Sequence, residues 1–347
     1  MRAVAYFQAL PIAHEQSLVD VTLDRPVPTG SDLLIEVRAV SVNPVDVKRR
    51  ARDDPGGRAR ILGYDAAGVV VEAGRAATLF RPGDEVFYAG AIGRPGTNAE
   101  FHLVDERLVG RKPRSLGFAE AAALPLTSLT AWELLFQRIR VARGAESDRR
   151  SLLIVGGAGG VGSIAIQLAR RLTGLTVVAT ASREATRAWC LEMGARHVID
   201  HSQSLGPQLE ALGLAQVDIV LGLTASDRHL PEIAGILAPL GHLGLIDDTK
   251  GFDLSALKPK SASIHWEFMF TRAAFATPDR IEQHRILDEV AALVDAGALR
   301  TTMTEIVGPI DAAHLRRAHA MIESGRTRGK LVLSGFPRAP ESADRLV

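Results

Sequence analysis

Cysteine is almost missing from this chain: its 347 residues include one, Cys190. A single thiol forms no disulfide within the chain and no zinc site built on several cysteines. Cys190 lies in the helix-like stretch 187–194, where it reads as a small buried apolar residue rather than a nucleophile. Charge of one sign is missing too. Lys plus Arg number 41 and Asp plus Glu 40, a formal balance of +1, so no strong field draws the chain to nucleic acid or an anionic membrane. The basic run Lys48-Arg49-Arg50-Ala51-Arg52 is followed by Asp53 and Asp54 and reads as a solvated loop. No apolar run approaches the roughly 20 residues that span a bilayer. Met1 to Tyr6 enters strand-like sequence without a signal-peptide core. A cytoplasmic protein acting on a small molecule is the expectation.

What is present is a full globular composition, 46% apolar and 23% charged, long enough for two domains. Its most informative run is Leu152-Leu-Ile-Val-Gly-Gly-Ala-Gly-Gly-Val-Gly162. Leu152 to Val155 reads as a buried parallel strand. Gly157, Gly159 and Gly162 make G-x-G-x-x-G, and Ser163 to Arg171 reads as a helix. Strand, glycine turn and helix together predict a dinucleotide site. Gly157 is expected to allow the tight turn, Gly159 the approach of a pyrophosphate, and Gly162 close helix packing. Ala158, Gly160 and Val161 complete the loop, whose free N–H groups would hold the phosphates.

Residues 1 to about 128 read as strands and turns, a small partly open β-barrel. From about 129 to 275 the pattern alternates β and α. Strands are expected at 152–155, 176–180, 197–199, 217–221 and 241–246, the mark of a doubly wound parallel sheet. Beyond 276 come a long helix (about 278–296), a strand (302–307), a helix (311–324) and a strand (330–334), a tail expected to return to the first domain. The expected division is therefore 1–128 plus 276–347 against 129–275.

An acid about 20 residues past the glycines would hold the ribose 2′-OH and mark NAD. The second strand ends instead in Thr180-Ala-Ser182, followed by Arg183. Ser182, Arg183 and, one turn on, Arg187 suit a 2′-phosphate, which favours NADPH over NADH; Glu184 is the one nearby acid.

Four stretches together resemble the medium-chain dehydrogenase/reductase superfamily: Ser41-Val-Asn-Pro-Val-Asp46, Gly63-Tyr-Asp-Ala-Ala-Gly-Val-Val70, Ala123 to Trp132, and the glycine loop. Arg81 to Val86 and Gly329 to Leu333 add to the match, in family order. The resemblance points to the quinone oxidoreductase-like branch, often labelled zinc-type alcohol dehydrogenase-like. It implies an α/β fold of a Rossmann domain and a chaperonin-10-like (GroES-like) barrel, with the active site between them. Zinc members of that family use a cysteine and a histidine in these motifs. Here Asn43 and Tyr64 stand in those places and Asp65 replaces a glutamate. Asn and a neutral phenol are poor zinc ligands, so no metal is expected. The resemblance then implies hydride transfer to a quinone or an α,β-unsaturated carbonyl compound.

It also nominates residues. Asn43 and Tyr64 would hydrogen-bond the substrate carbonyl, Tyr64 or solvent supplying a proton; a turn Asn and a packing Tyr are the alternatives. Asp46 would orient Asn43 or a ribose hydroxyl, or else cap the helix after it. Tyr88 would line the pocket. Thr127 and Thr130 would reach the nicotinamide, unless Thr127 caps a helix. His201 would sit near the adenosine phosphate, and Lys330 near the cofactor phosphates or in solvent. Aromatic residues are only 5% of the chain, yet His265-Trp-Glu-Phe-Met-Phe270 is rich in them. Trp266 and Phe268 are read as pocket and dimer edge, and Arg272 as a substrate contact; a homodimer follows from the family's habit of pairing Rossmann sheets here. Two other readings stay open: a zinc-type alcohol dehydrogenase, and a non-catalytic NADPH-binding sensor or structural protein. Pocket shape is expected to depend on segments 49–61 and 247–277.

Overall fold

The computed structural model describes residues 1–144, 148–248 and 253–337. Positions 249–252 of the expected pocket segment and 338–347 of the expected tail lie outside them.

The N-terminal strands are β1 (Arg2–Tyr6), β2 (Val19–Thr22), β3 (Asp32–Ser41), β4 (Arg60–Ile61), β5 (Ala66–Ala73), β6 (Glu85–Tyr88), β7 (Phe101–Asp105) and β8 (Val109–Arg111). Helix α1 (Pro44–Arg52) interrupts them. Asn43 caps α1, Pro44 opens it with a preset φ, and the Asp46 carboxylate accepts the Asn43 N–H at 2.7 Å. Helices α2 (Phe118–Ala122) and α3 (Pro125–Trp132) follow, α3 continuing as a π-helical turn, Glu133–Arg138.

The second half carries β9 (Ser151–Val155), α4 (Gly160–Leu172), β10 (Thr176–Thr180), α5 (Glu184–Met193), β11 (His197–Ile199), α6 (Leu205–Ala211), β12 (Val217–Gly222), α7 (Ser226–Ile236), β13 (Leu237–Leu245) and β14 (Ser263–Trp266). The chain closes with α8 (Thr271–Ala274), α9 (Ile281–Asp295), β15 (Met303–Gly308), α10 (Ala312–Glu323) and β16 (Lys330–Ser334).

Six parallel strands run in the order β11-β10-β9-β12-β13-β14, the doubly wound order whose crevice opens where the sequence of strands reverses. The reversal falls at β9, so the glycine turn that follows it faces the crevice. Leu152, Leu153 and Ile154 are fully buried; each such side chain contributes roughly 1.5–3 kcal/mol of burial. α4 turns Ile164, Ile166 and Leu168 inward and leaves Arg170 exposed at its C-terminal end, where a cation suits the helix dipole.

The other large sheet, β15-β16-β3-β5-β6-β8 with β7 on β3, draws its strands from both ends of the chain. β1, β2 and β4 form a small third sheet. The returning tail touches the glycine turn itself. Gly329 N–H donates to Ala158 O at 2.9 Å, and Gly159 bridges Gly329. Gln167 on α4 accepts from Arg300 N–H at 2.9 Å. No helix among the described residues is long and apolar enough to cross a membrane.

Candidate active site

A cavity of about 1090 Å³ runs along the crevice. One wall is the glycine turn. The tight turn falls one residue earlier than the motif suggests: Gly156 has φ +84° and lines the cavity, while Gly157 does not line it. Gly157 is glycine for packing, since a Cβ there would lie 2.7 Å from Ala179 Cβ and 3.1 Å from Cys190 Sγ. Cys190 is buried, and burial pushes its thiol up to about 12. Gly162 packs as expected, a Cβ meeting Gly156 O at 2.4 Å. At Gly159 the nearest atom would be 3.5 Å away, and the residue faces the cavity with Ala158, Gly160 and Val161.

Beyond the tip of β10 lie Ser182, Arg183 and His201. The Thr180 hydroxyl accepts Gly156 N–H at 3.0 Å and meets His201 Nδ1 at 3.1 Å, which holds the imidazole at the cavity wall. Arg183 also reaches the tail, donating to Arg326 O at 2.8 Å. Arg187 does not join them. Its guanidinium donates to Val198 O at 2.9 Å and Ala181 O at 3.4 Å, binding the strand ends rather than facing the cavity. Two residues that sequence reading passed over, Arg228 and His229 of α7, complete this end.

At the other end stand Asn43, Lys330, Thr127 and Thr130. Thr127 lies inside α3, whose cap is Leu124, so it does not cap the helix. Both threonine hydroxyls donate to α3 carbonyls, Leu124 O at 3.2 Å and Leu126 O at 2.8 Å; their lone pairs stay available as acceptors. Lys330 is neither solvated nor free for a phosphate. Its buried ammonium donates to Asp65 Oδ2 at 2.9 Å, to Val42 O at 3.2 Å and to Asn43 Oδ1, while its stem lies against Gly160. Asp65, absent from the sequence-level candidates, is the centre of this cluster. It also accepts Asn43 Nδ2 at 2.7 Å and Leu126 N–H at 2.8 Å. Burial pushes its carboxyl up, and Lys330, Asn43 and the Leu126 N–H pull it back. Asp65 was hard to find because its partner arrives from 265 residues away.

Several expected pocket residues are drawn out of the cavity wall. Asp46 is spent on the Asn43 and Gly63 N–H groups; burial pushes it up to about 7. Tyr88 is fully buried, stacked on His102 with its hydroxyl 3.2 Å from His102 Nδ1. Tyr64 is buried edge-on to Phe270, and its hydroxyl accepts from Arg49 Nη1 at 2.9 Å; it is Arg49 that lines the cavity. Arg272 pairs with Glu133 at 2.8 Å and Asp279 at 3.1 Å, pinning α8 to the π-helical turn. Trp266 lies on the exposed edge strand β14, outside the cavity, whereas Phe268 lines it beside Phe270.

The donors at the would-be metal position do not suit zinc. They are an amide, a phenol held by Arg49, and an aspartate already paired with a lysine whose positive charge repels a second cation. Among the described residues no group of three or more His, Cys, Asp or Glu is placed to hold a metal ion.

A GroES-like lobe closing over a doubly wound sheet, with a glycine turn in the crevice, defines a nucleotide-binding oxidoreductase fold. Residues 29–130 match the alcohol dehydrogenase GroES-like domain and residues 193–333 the zinc-binding dehydrogenase domain. The chain is 39% identical to a zinc-type alcohol dehydrogenase-like protein of Staphylococcus aureus, over 89% of this chain and 92% of that one. A Rhizobium etli structure, described provisionally as a zinc-dependent alcohol dehydrogenase, superposes with a TM-score of 0.93 at 56% identity, covering 97% and 98% of the two chains. A mouse mitochondrial NAD(P)H oxidoreductase is 30% identical over 88% of this chain and 82% of its own. The chain belongs to the medium-chain dehydrogenase/reductase superfamily, as an oxidoreductase of the NAD(P)H-dependent type.

Proposed function

We propose that this protein is an NADPH-dependent reductase of quinones or α,β-unsaturated carbonyl compounds that works without zinc, divided as 1–128 plus 276–347 for the catalytic lobe and 129–275 for the cofactor lobe. The observation that carries the reading is one unbroken cavity. It joins the glycine turn and Ser182-Arg183 to an end where Asn43 and Lys330 stand, the Lys330 ammonium paired with Asp65. The residues that would hold the cofactor are the turn 158–162, Ser182, Arg183 and His201, with Thr127 and Thr130 toward the nicotinamide. When bound, the nicotinamide supplies a hydride.

The remaining chemistry falls to the chain. Val45, Ile92, Phe268 and Phe270 provide an apolar wall against which the substrate packs, and the proton that completes the reduction comes from solvent, because the Tyr64 hydroxyl is held by Arg49 outside the cavity. The second amide proton of Asn43 makes only a long contact, 3.4 Å to Ser41 O. It is the donor we assign to the substrate carbonyl oxygen, the Asn43 amide being polarised by the Lys330 ammonium that donates to its Oδ1. Tyr64 acts as a positioning residue through Arg49. The mouse relative's name supports nicotinamide chemistry. We further propose a cytoplasmic homodimer paired along β14. The test is steady-state oxidation of NADPH and NADH over a panel of quinones and enones, with metal analysis of the same preparation. Turnover with NADPH and no stoichiometric zinc is expected. A zinc requirement would return the protein to the alcohol dehydrogenases, and tight binding without turnover would make it a nucleotide-binding sensor or structural protein.

A further inference from the structure

The adenosine end of the cavity has a second wall that the sequence motif does not announce. A 2′-phosphate beside Ser182 brings close to two negative charges, of which Arg183 offsets one, and the fold has removed Arg187 from service by bonding it to Ala181 O and Val198 O. Arg228 and His229 enter from the start of α7 and line the same cavity as Arg183 and His201. The His201 and His229 rings stand edge to face with centroids 6.1 Å apart. His201 is tethered through Nδ1, which leaves Nε2 for a ligand.

We propose that Arg228, His229 and His201 form the second half of the 2′-phosphate site, so that preference for NADPH over NADH strengthens as the two imidazoles take up protons. This rests on the NADPH reading above. The chemistry follows from the charges that face the pair. Burial, then His201 and Arg228, hold His229 below its ordinary value, against Glu232 and Asp227. His201 is likewise held down by burial, with Arg228 and Arg183 opposing Asp200. The acids are engaged elsewhere: Asp200 accepts from Ser202, Asp227 from Arg228 N–H, and Glu232 from Leu205 N–H. Without ligand both rings are therefore neutral near pH 7. A phosphate dianion bound against both rings at the cavity wall reverses the balance, because it favours the imidazolium form. Binding of NADPH then takes up protons; binding of NADH, which lacks the phosphate, does not.

The sign is fixed by linkage. A ligand that raises the affinity of a site for protons binds more tightly as pH falls through the range where those protons are gained. The phosphate itself begins to protonate near pH 6, so the window lies above that.

The test is binding of NADPH and NADH by fluorescence titration between about pH 8 and about pH 6.5, with calorimetry in two buffers of different ionisation enthalpy to count protons. The wild type is expected to bind NADPH about tenfold tighter at the lower pH, with proton uptake, while NADH changes less than about twofold. Arg228→Gln, an exposed position, is expected to weaken NADPH about tenfold at every pH and leave NADH alone. His229→Asn and His201→Asn are each expected to reduce the proton uptake and flatten the pH dependence, with circular dichroism confirming the fold. A pH-independent NADPH affinity, or an Arg228→Gln variant that binds NADPH like the wild type, overturns the inference while leaving the cofactor reading intact. Failure of the wild type to bind NADPH at any pH overturns both.

Discussion

Lys330 and Asp65 are the residue pair on which the catalytic end of the cavity depends. Each is buried, each neutralises the other, and Asn43 is held between them. Removing one charge leaves the other unpaired away from water, which typically costs 3–5 kcal/mol, whereas removing both costs much less. Lys330→Met should therefore lower urea stability by about 3 kcal/mol or more, and adding Asp65→Asn should restore a good part of it. Additive losses in that double-mutant cycle would contradict the pairing. At the level of single residues, legibility followed chain distance. Asn43 was readable as a cavity residue because the signal is local, a strand end before Asn-Pro. Tyr64 was nominated in the same way, yet its orientation toward Arg49 is decided by α1 packing across from it, which no pattern within 63–70 reports. Arg187 failed for a related reason: a guanidinium near a phosphate site is drawn to whichever acceptors the neighbouring strands leave open.

The glycine turn is the element where sequence and structure agree most closely, and it still divides its glycines by task. Gly162→Ala would drive a Cβ to 2.4 Å from Gly156 O and 2.7 Å from Gly157 Cα, both backbone atoms that cannot swing aside. That variant should fold poorly, losing about 2 kcal/mol or more in thermal or urea unfolding. Gly159→Ala meets nothing closer than 3.5 Å. It should keep wild-type stability within about 1 kcal/mol and lose at least about tenfold in NADPH affinity, since the added methyl points into the phosphate path. Equal stability losses for the two would refute the division. The strands of the parallel sheet were legible because burial on both faces leaves short apolar runs. β14, an edge strand with no buried residue, is missing from the strands expected of that sheet, and β13 begins earlier than expected, at Leu237, where the turn-like Ala-Pro-Leu-Gly hides its start. Its early register with β12 is bulged, and bulges carry no periodic signal.

For the molecule as a whole, pH should act on stability through buried groups that no site uses. His319 is fully buried, and neither ring nitrogen has a hydrogen-bond partner among the described residues. Burial, then Arg50, push it down to about 3, against 6.5 for an ordinary histidine. The folded state thus binds fewer protons than the unfolded chain between those values, so its contribution is intact above about pH 6.5 and is lost as pH falls. Asp46, pushed up to about 7, works in the opposite direction, so the comparison that isolates His319 is between a variant and the wild type. His319→Leu should gain about 2 kcal/mol relative to wild type on going from pH 7.5 to pH 5 in urea unfolding. A pH-independent difference would exclude the mechanism. The sequence alone determined the fold class, the glycine turn and the absence of a cysteine-based metal site, because each is written in residues close along the chain or in residues that are missing. Only the tertiary structure decided which polar side chains face the cavity. That choice depends on competition for buried hydrogen-bond partners, and those partners, Lys330 for Asp65 and α7 for the adenosine end, come from segments distant along the chain.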